Sequence, residues 1–365
     1  MAGYDEVKAK IHELGLKPDG KRDLPLFTLS CISESYFVNL KESLGITYNG
    51  LAALGSENHF QSILNEEFIA SELKRVLDFK KLENDVLPML RGIIDETRKN
   101  LRLLGYLSEK DPSEFLKRII EIYPKYFSTL AVYNCFMRFT CNNPNILQAE
   151  LINEISRDRE ESAKIYPEIE KMIINACENY GKENGFYGSS LRCLTLTELK
   201  QHLNEKGMPK KTLEILDKRK KGYIFSFIDS AEEVIEDEEF VKKFRNDFFG
   251  MEKSNTIKGC VVSPGKVKGI AYNLENSRKL PDLENVILIA SMTHPNDMQM
   301  LKKCLAIVTD EGGILSHASI FAREFKIPCV VSTKISTRAI DTGDFIEVDA
   351  DNGIIRILEK IKSLV

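Results

Sequence analysis

Apolar residues recur along this chain with two different periods, and the change from one to the other divides it. From about Gly50 to Lys243 the spacing is that of amphipathic helices: Ile69, Leu73 and Val76 are separated by Glu and Lys, leaving one apolar face. Asp111-Pro112-Ser113-Glu114 predicts a helix start, with a capping Asp, Pro at the first helical position and Glu in the first turn. Phe115, Ile119, Ile122 and Tyr126 continue that helix as one stripe. Thr195-Leu196-Thr197-Glu198 has the form of a capping box, opening a helix over Leu199 to Leu203 that Gly207-Met208-Pro209 closes. The loosely spaced Gly181, Gly185 and Gly188 read as a loop, and the acidic run from Glu232 to Glu239 as the exposed side of a helix. His12, His59 and His202 read as surface residues.

After Phe249-Gly250 the periodicity stops, and beyond it come short β-branched runs bounded by turn signals. Strands are predicted at Cys260–Val262, Val286–Ala290, Leu305–Thr309, Cys329–Ser332, Phe345–Asp349 and Ile354–Leu358, with turns at Ser263-Pro264-Gly265 and Asp351-Asn352-Gly353. The expected organisation is an all-α, mainly helical domain over 1–249, a linker over 250–256 and a compact α/β domain over 257–365.

Bulk composition narrows the function without naming it. A chain of 365 residues, 43% hydrophobic and 29% charged, has room for two separately cored domains. The net charge of −4 gives no reason to expect a nucleic-acid or membrane partner, and a cytoplasmic location is expected. The eight cysteines include no Cys-x-x-Cys pair and the five histidines are dispersed, so core thiols are expected and no metal cluster.

The chemistry concentrates in Asp310-Glu311-Gly312-Gly313-Ile314-Leu315-Ser316-His317-Ala318, between an apolar strand and a helix. Glycines let the backbone take positive φ and bring N–H groups up to an anion, and a helix N-terminus adds unpaired donors and partial positive charge. A histidine there is placed to carry a phosphoryl group. Thr293 lies just after the preceding strand, with His294 beside it, and Arg323 follows six positions after His317. Arg138, Arg192 and Tyr223 are further candidates to orient an acceptor in the first half.

Thr309-Asp310-Glu311-Gly312-Gly313, Ser316-His317-Ala318, Ala322-Arg323-Glu324, Ile327-Pro328-Cys329-Val330-Val331 and Asp341-Thr342-Gly343-Asp344 fall in an order that resembles the swivelling phosphohistidine domain of the PEP-utilising enzymes. The resemblance implies a β/β/α domain in which His317 is phosphorylated, Gly312 and Gly313 shape the turn beneath it, Ser316 caps its helix, and Thr293 and Arg323 are candidate phosphate contacts. Position 315, where some relatives carry a regulatory Thr, is Leu here. On Leu194 to Leu199 and Arg219 to Tyr223, the helical half resembles the acceptor-binding region of rifampin phosphotransferase. Nothing before Gly50 reads as an ATP-grasp domain, and no PEP/pyruvate barrel is recognised. The resemblance therefore implies that ATP and Mg2+ are held by a separate ATP-grasp partner, and that the phosphoryl group goes to an unknown small-molecule acceptor. A phosphocarrier or regulatory module without acceptor chemistry of its own stays open as the alternative.

Overall fold

The computed structural model describes residues 3–65, 67–69, 71–72, 82–142, 149–204, 208–249, 255–276, 286–293, 297–313 and 316–360. The chain divides into two compact units, Met1–Phe136 with Glu154–Phe249, and Met137–Asn153 with Gly250–Val365. Leu73, Val76, Gly207, His294 and residues 250–254 of the expected linker lie outside the described residues.

In the first unit, long helices follow the 3.6-residue pattern, among them Leu87–Lys110, Pro112–Asn142, Tyr166–Asn184 and Leu196–Asn204. Asp111 Oδ1 accepts from the Glu114 amide at 3.0 Å, and Thr195 and Glu198 cap each other reciprocally at 2.8 and 3.3 Å. The expectation of an all-α domain is nevertheless corrected. Strands β1 (Lys17–Arg22), β2 (Leu51–Ser56), β3 (His59–Leu64), β4 (Tyr223–Ile228) and β5 (Ala231–Ile235) form an antiparallel sheet in the order β1-β3-β2-β4-β5.

Helices Tyr4–Glu13 and Glu238–Phe249 cover one face of this sheet, burying Tyr4, Val7, Ile11 and Phe244 against Ala52, Leu54, Ile63 and Ile224. Helix Leu26–Glu34 packs on β2 and β3 from the other side and continues through a π turn at Ser35–Asn39. Covered on both faces, β2 and β4 have apolar residues at successive positions, so the alternation that announces a half-exposed strand is missing.

Three smaller expectations are corrected with it. Gly181 lies inside helix Tyr166–Asn184, and Gly188 opens a 3-10 segment, Gly188–Cys193, pressed against that helix. A Cβ on Gly188 would stand 2.3 Å from the Cys177 carbonyl oxygen, so this pair of glycines serves close packing, not a loop. His202 is buried between the Tyr180 and Phe186 rings, on the inward stripe of Leu196 and Leu199. Glu232 and Glu233 belong to β5 instead of a helix.

Two carboxyls in this unit are held in protein surroundings. Burial raises the pKa of Glu170, against hydrogen bonds from Tyr123 and Thr28 and the charge of Arg192, and burial likewise raises that of Glu232. The folded unit therefore holds protons that the unfolded chain, titrating near 4.5, has lost. This contribution to stability is complete below that pH and disappears as pH rises through the folded values. The Tm advantage of Glu170→Gln over the parent is expected to grow from pH about 5 to about 8 in thermal melts, and a constant gap would contradict it.

The second unit is built on eight strands: β6 (Thr256–Lys258), β7 (Cys260–Ser263), β8 (Lys266–Asn273), β9 (Val286–Ala290), β10 (Ala306–Thr309), β11 (Cys329–Val331), β12 (Phe345–Asp349) and β13 (Ile354–Glu359). Their order is β6-β13-β12-β8-β9-β10-β11-β7, with β8 to β11 mutually parallel and the other pairings antiparallel. Ile287, Ile289, Ala306, Val308 and Val330 pack in one core with Ile257, Ile346, Val348 and Ile355 from the antiparallel half. The alternate positions Leu288, Ile307, Cys329 and Val331 face a second core with Ala318, Phe321 and Ala322 of helix His317–Phe325. The strands of one continuous sheet thus serve two cores, the second of them closed by helix His317–Phe325. The sheet's two outer strands, β6 and β7, are one stretch of chain joined at Gly259, where a Cβ would meet Val330 Cγ1 at 2.6 Å. Cys31, Cys135, Cys177, Cys193, Cys260, Cys304 and Cys329 form no disulfide, and among the described residues no helix is long and apolar enough to cross a membrane.

Candidate functional site

Parallel strands β9, β10 and β11 end side by side, and the segments leaving their carboxyl ends carry the candidate residues, the position where open α/β sheets collect ligands. Thr293 follows β9, the glycine turn follows β10, and Ser332 and Thr333 follow β11. Backbone bonds clip them together: Asp310 N to Ala290 O at 3.0 Å, Glu311 N to Ser291 O at 2.9 Å and Thr333 N to Thr309 O at 3.0 Å.

Gly312 has φ +113°, and a Cβ there would stand 2.9 Å from Ser316 Oγ, so the turn admits only glycine at this point. The Gly312 carbonyl accepts from Ser332 Oγ. Gly313 acts through its carbonyl, which accepts from Ser316 N at 2.9 Å and Ser319 Oγ at 2.5 Å. Ser316 is the N-cap of helix His317–Phe325: its backbone is extended, and its Oγ accepts from the Ser319 amide at 3.4 Å.

His317 is the first residue of that helix. Its ring is half-buried, lies roughly parallel to that of Phe321 and places Nδ1 3.2 Å from Thr293 Oγ1. Nε2 makes no hydrogen bond among the described residues. Thr293 itself is 8% exposed. The ring is thus gripped by one nitrogen and open at the other, beside the first-turn amides of a helix.

Arg323 does not join this group. It sits exposed in the last turn, about 9 Å further along the helix axis and on a different face. In the first unit, Arg192 lies on the 3-10 segment and donates to Asn58 Oδ1 at 2.9 Å, while Tyr223 is buried in β4. Arg138 belongs to helix Pro112–Asn142.

One residue of the site escaped the sequence reading as an individual. The Asp310 carboxylate is buried and accepts from Thr333 Oγ1 at 2.9 Å, Ser336 N at 2.6 Å, Ser336 Oγ at 2.6 Å, Thr337 N and Thr337 Oγ1. It fastens the start of the glycine turn to the loop after β11. The run Ser332-Thr333…Ser336-Thr337 was the available signal, since hydroxyl residues ahead of a short helix need an acceptor.

Residues 282–353 match the PEP-utilising enzyme mobile domain. The phosphoenolpyruvate synthase of Pyrococcus furiosus is 40% identical over 100 residues, which are 27% of this chain and 12% of that protein. An uncharacterised phosphotransferase of Bacillus subtilis, YvkC, is 39% identical over 127 residues, 35% of this chain and 14% of its own. A solution structure of Enzyme I aligns with 79% of this chain and 83% of its own at 17% identity, but with a TM-score of 0.21 it bears no weight. The chain thus spans about one-eighth of the length of the curated relatives it matches. The matched segment runs from before β9 to just short of β13, so the second unit contains a stretch that is similar to the mobile domain of the PEP-utilising enzymes.

Proposed function

We propose that the chain is the phosphohistidine-bearing component of a phosphotransferase, taking a phosphoryl group from ATP on a separate ATP-grasp domain and passing it to a small-molecule acceptor. The observation that carries this reading is the His317 ring, held at Nδ1 by Thr293 and open at Nε2, at the head of a helix.

In the reactive tautomer Nδ1–H donates to Thr293 Oγ1, which leaves the Nε2 lone pair as the nucleophile. Attack on a phosphate of the nucleotide forms the N–P bond as the P–O bond to the departing nucleotide breaks. First-turn amides and the glycine turn stabilise the negative charge that arrives on the ring. Magnesium enters with the nucleotide on the partner. The N–P bond then breaks as an acceptor oxygen takes the phosphoryl group, and the imidazole is regenerated. Donor and acceptor must each approach the same nitrogen, so the body that bears His317 has to dock twice in each turnover.

In a lysate of the source cells supplied with ATP labelled on its β and γ phosphates, the chain is expected to take one acid-labile, base-stable phosphate. A chain that stays unlabelled in that lysate would reject the carrier reading. Long-range 1H–15N spectra of the labelled protein are expected to place the phosphate on Nε2. Thr293→Val should lower the rate of labelling about 10-fold by releasing the tautomer. Phosphate found on Nδ1, or a valine variant labelled at the parent rate, would remove Thr293 from the mechanism.

A further inference from the structure

The antiparallel half of the second unit's sheet turns one face inward and leaves the other open. Ile346, Val348 and Ile355 point into the core, so the alternate residues of β6, β13, β12 and β8 share an outer face. Its charges are unequally exposed. Glu347 and Asp349 are buried, whereas Lys266 and Lys268 are exposed and reach them at 3.1 Å (Asp349) and 3.4 Å (Glu347). Arg356 pairs with Glu347 at 2.6 Å, and exposed Lys258 has no ion pair among the described residues. Solvent therefore meets four cations over two covered carboxylates. Beside them runs an apolar row. Phe345 stands opposite Ile270, with Leu358 at the register shift next to it, and the three are 37%, 52% and 41% exposed. Three adjacent large apolar side chains bordered by cations mark a contact surface.

The first unit carries the complement. Asp237, Glu238 and Glu239 are exposed where helix Glu238–Phe249 begins, and they make no ion pair among the described residues. Phe240 follows them and is 37% exposed. This corner is rigid: Asp237 Oδ1 accepts from the Glu239 and Phe240 amides at 2.9 and 3.0 Å, and the Phe240 ring is stacked with Tyr4 at 5.5 Å. Three carboxylates beside one aromatic ring match, in charge and in polarity, four cations beside an apolar row.

We propose that the outer face of β6, β13, β12 and β8 docks a second copy of this chain through that copy's Asp237–Phe240 corner. Phe240 seats on the apolar row, and the three carboxylates lie among Lys258, Lys266, Lys268 and Arg356. The contact is heterologous, because different surfaces of the two copies meet. Removal of apolar surface from water holds it together, while the exposed charges orient the encounter. Strands β9 to β11, whose ends carry the His317 site, contribute nothing to this face, so the proposal stands apart from the carrier reading.

The test is sedimentation velocity on the full-length chain from about 1 to about 200 µM. Self-association is expected, with a Kd at least about 10-fold weaker in about 500 mM NaCl than in about 50 mM. Two double variants then separate the surfaces. Ile270→Thr with Phe345→Thr strips the face of its apolar row while keeping β-branched residues in the strands. Glu238→Lys with Glu239→Lys reverses the corner. Each should melt as a folded protein and associate at least about 10-fold more weakly than the parent. Mixed one to one, the two should associate more tightly than either alone, because one still offers an intact corner and the other an intact face. A parent that stays monomeric throughout would assign the face to a different protein and overturn the proposal. Parental association by both variants, or a mixture no tighter than its components, would overturn it equally.

Discussion

His317→Ala is expected to leave the chain folded and wholly without acid-labile phosphate. The ring contributes a half-exposed contact at the start of its helix, so its loss costs little stability, about 1 kcal/mol or less. Chemically it removes the imidazole at the head of the glycine turn, and neither Thr293 nor Ser316 can substitute as an N–P carrier. The loss should therefore exceed 10³-fold in labelling from ATP, with a cooperative melt whose midpoint lies within about 5 °C of the parent's. His317→Gln keeps size and polarity and should be equally inert. Label persisting in either variant would show that phosphate resides on another residue.

Asp310→Ala is expected to act in the opposite order, on structure first and on chemistry through it. Five donors converge on this carboxylate, from Thr333, Ser336 and Thr337. Alanine would strand them in a site where water does not replace the acceptor. Loss of a charged acceptor with several buried donors costs about 3 kcal/mol, or about 10 °C in the Tm of a unit this size. Asp310 stands two residues before Gly312, so the turn beneath His317 should lose its register with Thr293. Phosphorylation is then expected to fall about 100-fold, as when reacting groups are misplaced by an ångström. Asp310→Asn, which keeps an acceptor oxygen but turns an amide towards donors, should lie between. An alanine variant with parental Tm and parental labelling would show that this network neither holds nor orients anything.

Six of the second unit's eight strands could be read from residues, because each carries a local signal, whereas the short β6 and the glycine-interrupted β8 were missed. Val286–Ala290 and Leu305–Thr309 are short, apolar and bounded, and the helix after them is announced by a Ser cap and a glycine with no alternative residue. The first unit's sheet was hidden for three physical reasons. Leu51-Ala52-Ala53-Leu54 is buried on both faces and has the composition of a helix. Lys17-Pro18-Asp19-Gly20 pairs with β3 despite a proline and a glycine, as only an edge strand can. The β4–β5 hairpin turns on Asp229 and Ser230, both at positive φ, without the glycine that usually marks such a turn.

The candidate site shows the same division. His317, Gly312 and Ser316 were legible because their roles depend on neighbours in sequence. The Thr293–His317 contact and the anchoring by Asp310 join segments 24 and 26 residues apart, so neither is announced by its neighbours in sequence.

The way β6 and β7 meet at Gly259 bears on how such a body tolerates release. Among the described residues its unpaired strand flanks are three and four residues long, and they are consecutive in the chain. So little free backbone offers almost no template for another chain to extend by strand addition. A body built this way can meet its own copies in a crowded solution without adhering to them edge to edge.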